Sequence, residues 1–210
     1  MVVELFTSQG CSSCVAADKL VEEISAKPGV LALTLAVDYW DYLGWNDTFA
    51  KPEFSARQKA YMTRLALRDL YTPQVIVDGV GQAPGADAKK VEQLIRDARR
   101  AKPPPGPRLR LLRHGKVAVG AGRAPKGGAD VWLVRYDPAV QQVTVKRGEN
   151  RGQTLSEKNV VHDLVRLGAW TGKPRTFTLP HAAGDDAKTL KAAVLVQATH
   201  GGRILGVLVT

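Results

Sequence analysis

The sequence predicts a chain of two parts, an α/β first half followed by a small antiparallel β-sandwich or barrel. Strand and helix patterns alternate up to residue 101. Residues 102–107, Lys-Pro-Pro-Pro-Gly-Pro, predict a stiff, extended linker, because proline lacks an amide donor and has a fixed φ. Beyond the linker, short alternating apolar stretches are separated by turn residues. We therefore expect one unit over 1–101 and a basic all-β unit over 108–210.

The first half predicts the element order β-α-β-α-β-β-α. Short apolar runs mark the strands, and apolar residues recurring every three or four positions mark the helices. The predicted elements are a strand over 2–6, a helix from Cys11 to about Ser25, a strand over 30–37, a helix opened by a capping box of Ser55 and Gln58 and ending near Leu67, a hairpin turning at Asp78-Gly79 after strand 75–77, and a last helix capped by Asp87.

The second half predicts short strands and tight turns, with a single helical turn over 159–167. Glycine-containing pairs mark two hairpin turns, His114-Gly115 and Gly201-Gly202. The predicted strands cover 108–113, 116–121, 130–136, 142–147, 175–180, 192–199 and 203–209.

The net charge of +10 is concentrated in the second half. Residues 1–100 carry 12 basic and 13 acidic side chains, whereas residues 101–210 carry 18 and 7. Such a surface suits nucleic acid or anionic lipid, but the basic residues form no run of four and no nucleic-acid-binding motif, so we favour a solvated surface. The longest apolar stretch, 30–37, is too short to span a membrane. Because no signal-peptide pattern precedes the first strand, the protein is predicted to be either cytoplasmic or an exported protein without its signal.

The motif Cys11-Ser12-Ser13-Cys14 holds the only two cysteines of the sequence. It follows the first strand and lies in the predicted first turn of a helix, where unpaired amides and the helix dipole stabilise a thiolate. Such a position lowers a thiol pKa into a range of roughly 3.5–7.5. The motif predicts an exposed nucleophile at Cys11 and a resolving thiol at Cys14. The redox-active disulfide is then the only cofactor.

Three other interpretations of the cysteine pair are a zinc site, a copper(I) site and a permanent disulfide. A structural zinc ion needs four ligands, and the first half has neither a second cysteine pair nor a histidine. Two thiolates suit copper(I), although no methionine cluster supports it. A permanent disulfide in a non-enzymatic binding protein is the remaining alternative. We predict no metal site.

Two further segments are predicted to meet the cysteine pair. An aromatic loop, 38–47, follows the second strand, and Thr72-Pro73 precedes the third. A right-handed β-α-β unit places the ends of its two strands at one sheet edge, where ligands bind in α/β folds. We expect Tyr39, Trp40 and Trp45 to line a substrate groove there.

Together these motifs resemble the thioredoxin fold. Residues 3–14, 37–45 and 71–74 are similar to the exported thioredoxin-like proteins grouped as domain-of-unknown-function family 1223. The similarity covers most of 2–100 and continues more weakly through 149–152, 159–161 and 167–170. That family has two prolines after the second cysteine, where this chain has Val15 and Ala16.

The resemblance implies a thiol–disulfide oxidoreductase, periplasmic or secreted, acting on protein or small-molecule disulfides. Pro73 would be a cis-proline facing the cysteines, and the backbone of Thr72 would hold an incoming peptide. A buried acid assists proton transfer in thioredoxins, and Glu4 and Asp38 are the candidates for it, ahead of Asp18.

Overall fold

A large mixed sheet, flanked by helices and a small second sheet, forms the structure, a computed structural model that describes residues 1–101, 103–182 and 189–210. The first half has the predicted order β-α-β-α-β-β-α. A 3-10 helix, Asp41–Leu43, lies within the aromatic loop. The elements are β1 (Val2–Thr7), α1 (Cys14–Ser25), β2 (Leu31–Ala36), α2 (Pro52–Arg64), β3 (Gln74–Val77), β4 (Gly81–Pro84), α3 (Ala88–Arg100), β5 (Leu109–Leu112), β6 (Lys116–Val119), β7 (Ala129–Thr144), β8 (Thr154–Trp170), β9 (Arg175–Thr178), β10 (Lys191–Ala198) and β11 (Ile204–Val209).

The large sheet joins the two halves of the chain. Its strand order is β11-β10-β7-β8-β2-β1-β3-β4, with β1 parallel to β2 and antiparallel to β3. The halves meet where Thr34 of β2 pairs in parallel with Val160 of β8. The segment before β5 packs tightly, since a Cβ on Gly106 would lie 1.7 Å from the carbonyl oxygen of Leu205. The large sheet therefore contains strands from both sides of the predicted linker. The division into two folding units stays a prediction.

The second half differs from its sequence-based prediction in two respects. The helical turn predicted over 159–167 is wrong, because this segment lies within β8 and pairs with β7. The two strands predicted over 130–136 and 142–147 form one long strand, β7. Instead of forming a self-contained sandwich or barrel, β7, β8, β10 and β11 extend the first-half sheet, and β5, β6 and β9 form a separate three-stranded sheet.

The sheet has helices on both faces. On one face, Val3 and Leu5 of β1 pack with α1 and α3, whereas Val2 and Phe6 face α2. The same alternation along β7 places Val131 and Leu133 against the small sheet, on the face opposite α2. The sheet curls around α2, because the amide of Ile204 donates to the carbonyl oxygen of Asp78 at 2.9 Å. Among the described residues, no helix is long and apolar enough to cross a membrane.

Local signals fix some element ends. Asp87 caps α3 as predicted, since its Oδ1 accepts from the amide of Lys90 at 3.1 Å. The hairpin between β3 and β4 turns through positive φ at Asp78 and Gly79, as predicted. The prediction that a capping box at Ser55 opens α2 is wrong, because the helix begins at Pro52. The Ser55 hydroxyl donates instead to Asp38 at 2.5 Å. A proline in the first turn suits the helix start, where amides lack intrahelical partners.

Candidate functional site

The cysteine pair forms a disulfide between β1 and α1. The Cα atoms of Cys11 and Cys14 are 5.4 Å apart. α1 begins at Cys14 and not at Cys11 as predicted, because Cys11–Cys14 forms a turn closed by a 3.1 Å hydrogen bond from the Cys14 amide to the Cys11 carbonyl oxygen. The Ser13 hydroxyl lies 3.4 Å from the Cys11 sulfur. Cys11 thus precedes the helix, and Cys14 is its first residue.

Both cysteines are buried, each with 1% of its surface exposed. The predicted exposure of Cys11 is therefore wrong. The cause is the connection between β7 and β8, residues 145–153, which we call the cover loop. The buried amide of Asn150 donates to the carbonyl oxygens of Gln9 at 3.0 Å and of Cys11 at 3.1 Å. The cover loop is therefore bonded to the backbone on either side of Gly10, at the start of the cysteine turn.

Glu149 of the cover loop brings a negative charge to the cysteine turn. Its Oε2 accepts a 3.0 Å hydrogen bond from the amide of Ser12, and this bond lowers the pKa of the Glu149 carboxyl. From the sequence, the amides of this turn are expected to stabilise a thiolate, but the Ser12 amide donates to the Glu149 carboxylate instead. With the cover loop in this position, a negative charge lies at the Ser12 amide, next to Cys11 in the chain.

The three predicted segments converge at this edge of the sheet. The Trp40 indole nitrogen donates to the hydroxyl of Thr72 at 2.8 Å, and a Cβ on Gly10 would lie 3.4 Å from the Trp40 Cβ. The Thr72–Pro73 bond is cis, as the resemblance implies. A Cβ on Gly85 would lie 2.9 Å from both Pro73 and Ala17, which places Pro73 beside α1. Trp40 therefore connects the cysteine turn to the cis-proline.

The aromatic side chains of this loop are held by hydrogen bonds inside the fold. The Trp45 indole donates to Gln9 Oε1 at 3.0 Å, and the Tyr39 hydroxyl donates to Gln58 Oε1 at 3.1 Å. Both are half-buried, and burial raises the pKa of Tyr39 to about 12. Tyr42, in contrast, is 81% exposed. The predicted groove residues Tyr39, Trp40 and Trp45 thus each donate a hydrogen bond to another residue of the fold.

A cluster of buried carboxyl groups surrounds Gln9, two residues before Cys11. The Gln9 amide donates to Asp47 at 2.7 Å, and its side chain donates to Glu157 of β8 at 3.1 Å. Burial raises the pKa of Asp47. Burial, followed by the charges of Asp18 and Asp47, raises the pKa of Glu157 well above its usual value. Buried carboxyl groups with raised pKa values therefore lie beside Gln9, two residues before Cys11.

Asp18 is the member of this carboxyl cluster that lies on α1, the helix that begins at Cys14. It follows Cys14 by four residues, so both side chains lie on one face of α1, and both are buried. The hydroxyl of Thr7 donates to Asp18 at 2.9 Å. Burial is the main cause that raises the pKa of Asp18 to about 7. A carboxyl group that titrates near neutral pH suits proton exchange with a thiol.

The structure places the other predicted acids with different partners. Glu4 lies on the α2 face of β1, where it accepts from Arg57 at 2.5 Å and from the hydroxyl of Tyr61. Asp38 accepts from Ser55. Their predicted roles in proton transfer stay predictions.

Sequence reasoning missed Gln9, Asp47, Asn150 and Glu157. Asp47 lies in the aromatic loop that the sequence singled out. The contacts of Asn150 and Glu157 join residues more than 130 positions apart in the chain, such as the 148 between Gln9 and Glu157, and leave no local pattern. Across the described ranges, no three histidine, cysteine or acidic residues are placed to hold a metal ion.

Replacing Asp18 with asparagine is expected to change how stability depends on pH. Because the folded pKa of about 7 exceeds the usual 3.8, folding binds a proton and wild-type stability falls as pH rises from about 4 to 7. The free energy of unfolding of Asp18→Asn should therefore exceed that of the wild type. The difference should grow as the pH rises from about 4 to 7 and stay constant at higher pH. Urea unfolding between pH 4 and 8 measures this.

Glu149→Gln is the matched control for Asp18→Asn. The pKa of Glu149 is lowered, so its contribution to stability is present at neutral pH and lost on acidification. A stability margin of Asp18→Asn over the wild type that does not change with pH would contradict a neutral Asp18.

Comparison with known proteins gives a family and a solved structure. The family model described as "Protein of unknown function (DUF1223)" matches residues 2–197. The chain is similar to a crystal structure of a protein from Agrobacterium tumefaciens, with 35% sequence identity and a TM-score of 0.79. The similarity covers 99% of this chain and 92% of that one. A comparison with curated proteins found no match.

Proposed function

Since this chain belongs to the DUF1223 family, which is described as of unknown function, we propose from its geometry that it is a thiol–disulfide oxidoreductase of thioredoxin-like fold. The observation that carries the proposal is the Cys11–Cys14 disulfide at the start of α1, with a cis bond before Pro73 beside that helix and Asp18 one turn below. The order of β1 to α3 and the pairing of β1 with β2 and β3 support the fold assignment.

In the proposed reduction of a substrate, the dithiol form attacks a disulfide. The Cys11 thiolate bonds to one substrate sulfur, and the other substrate sulfur leaves as a thiolate that takes up a proton. Cys14 then gives its proton to the Asp18 carboxylate and attacks the Cys11 sulfur, and the second substrate sulfur leaves as a thiolate that takes up this proton. Two electrons pass to the substrate, and the Cys11–Cys14 disulfide forms again.

In this proposal, the residues around the cysteine pair open a groove for the substrate. The cover loop moves away from Cys11, which removes the Asn150 hydrogen bond and the charge of Glu149 together. Thr72 then offers its backbone to an extended peptide. The loop of Tyr39, Trp40 and Trp45 forms the wall of the exposed groove.

An oxidising compartment is part of the same proposal. Disulfides persist in periplasmic and extracellular proteins and are rare in the cytosol. The paired state of the chain's two cysteines supports a periplasmic or secreted location. Protein or small-molecule disulfides of that compartment are the proposed substrates.

A second candidate function is a non-enzymatic binding protein with a permanent disulfide. The 1% exposure of both cysteines favours it, because exchange needs access to a sulfur atom.

Insulin reduction driven by dithiothreitol tests the proposed activity. The wild type should accelerate it, and Cys11→Ser should fall to the uncatalysed rate, because the attacking sulfur is gone. Ser12→Ala keeps both sulfurs and the Ser12 amide, so it should retain most of the activity. Equal rates for the wild type and Cys11→Ser would reject the oxidoreductase.

A further inference from the structure

A cavity of about 300 Å³ opens on the α2 face of the large sheet, whereas the cysteine helix lies on the opposite face. Its walls come from α2, β7, β8 and the turn between β10 and β11. Trp132, Leu164 and Ala56 supply an apolar lining, and Arg57 and Gln197 supply buried polar groups. Three further polar side chains line the cavity: Glu53, Asp130 and His200. Arg57 and Gln197 are more than nine-tenths buried, with 7% and 2% of their surface exposed.

Arg57 has a free donor at this cavity. Its Nε donates to Glu4, its Nη2 donates to the Tyr61 hydroxyl at 3.1 Å, and its Nη1 has no hydrogen-bond partner within the described chain. Among the described residues, His162 Nε2 is the one fully enclosed side-chain nitrogen or oxygen that lacks a partner, so Arg57 Nη1 is not fully enclosed. Because Arg57 lines the cavity, we take Nη1 to face it. The guanidinium is also 5.7 Å from the Trp132 ring.

Gln197 has a free acceptor beside this donor. Its amide nitrogen donates to the Tyr61 hydroxyl at 2.9 Å and to the Gly202 carbonyl oxygen at 2.8 Å, which fixes the orientation of the amide. Its Oε1 accepts no hydrogen bond from the described residues and, like Arg57 Nη1, is not enclosed. Because both side chains bind the same Tyr61 oxygen, the free donor and acceptor lie on neighbouring groups.

We propose that this cavity binds a flat apolar ring carrying a primary carboxamide. The carbonyl oxygen of the ligand accepts from Arg57 Nη1, and its N–H donates to Gln197 Oε1. The ring packs against Trp132 and Leu164. A carboxylate fits less well, because it has no proton for Gln197, and Glu4 already neutralises the charge of Arg57. The proposal is independent of the cysteine chemistry.

Titration of the full-length chain with benzamide, followed by NMR of the Trp132 indole, tests this site. Benzamide should shift the indole signal in a saturable way. Benzoate should bind about tenfold more weakly or worse, because it leaves a buried acceptor unpaired. Ala56→Leu, which fills the mouth of the cavity without touching its polar groups, should weaken benzamide about tenfold.

Ala88→Leu makes the same substitution at an exposed position of α3 and should leave benzamide affinity unchanged. If Ala56→Leu does not fold, Ala60→Leu on the same wall replaces it. Absence of a Trp132 shift, or affinity unaffected by filling the cavity, would overturn the proposal. Benzoate binding as tightly as benzamide would make the cavity an anion site and overturn it equally.

Discussion

Asn150→Ala is expected to speed reduction of the Cys11–Cys14 disulfide about tenfold or more, since it removes two of the hydrogen bonds, about 1 kcal/mol each, that hold the cover loop closed. Both bonds come from the Asn150 amide and end on the backbone of Gln9 and Cys11. Their loss raises the population of the open loop, which is the form that a reductant reaches. Stopped-flow reduction by dithiothreitol under native conditions measures the rate.

Asn46→Ala is the control for this variant. Asn46 is an exposed asparagine in the aromatic loop that makes no hydrogen bond within the described residues, so its replacement should leave the rate unchanged. Urea unfolding of each variant separates loop opening from a general loss of stability. A disulfide that is reduced equally fast in Asn150→Ala and the wild type would show that the cover loop does not control access.

Arg57→Met is expected to destabilise the fold by about 3–5 kcal/mol, because it leaves a buried carboxylate without its cation. The Glu4 and Arg57 side chains are 1% and 5% exposed, and their charged atoms are 2.5 Å apart. Tyr61 and Gln197 extend the same network across α2 and β10. Urea denaturation at pH 7 measures the loss of unfolding free energy.

A surface ion pair provides the contrast. Arg96 pairs with Glu92 on α3, with both side chains about half exposed, so Arg96→Met should cost less than about 1 kcal/mol. The double variant Glu4→Gln, Arg57→Met should recover part of the loss, since no charge then stays buried. Equal effects of Arg57→Met and Arg96→Met would contradict the assigned role of the buried pair.

Local signals predicted those features of the fold and the site that depend on residues close together in the chain. The strand before Cys11, the side-chain cap at Asp87 and the turn at Asp78-Gly79 each depend on a few consecutive residues, and each is present. The convergence of Gly10, Trp40 and Thr72 follows from the handedness of a single β-α-β unit.

Contacts between the two halves were not predictable from such signals. The pairing of β2 with β8, the hydrogen bonds of Asn150 and the position of Glu157 each join segments more than 120 residues apart. Periodicity describes which face of an element is buried but not which distant segment covers it. For that reason the sequence predicted an open Cys11, and the structure has a covered one.

The reduction potential of the Cys11–Cys14 pair tests the oxidoreductase proposal most directly. Equilibration of the folded protein in dithiothreitol redox buffers, followed by alkylation and mass spectrometry, gives the fraction of dithiol. The proposal predicts a reversible couple above roughly −300 mV, in the range of catalytic pairs. A disulfide more reducing than this, or one reduced only on unfolding, would contradict the proposal and identify a structural bridge.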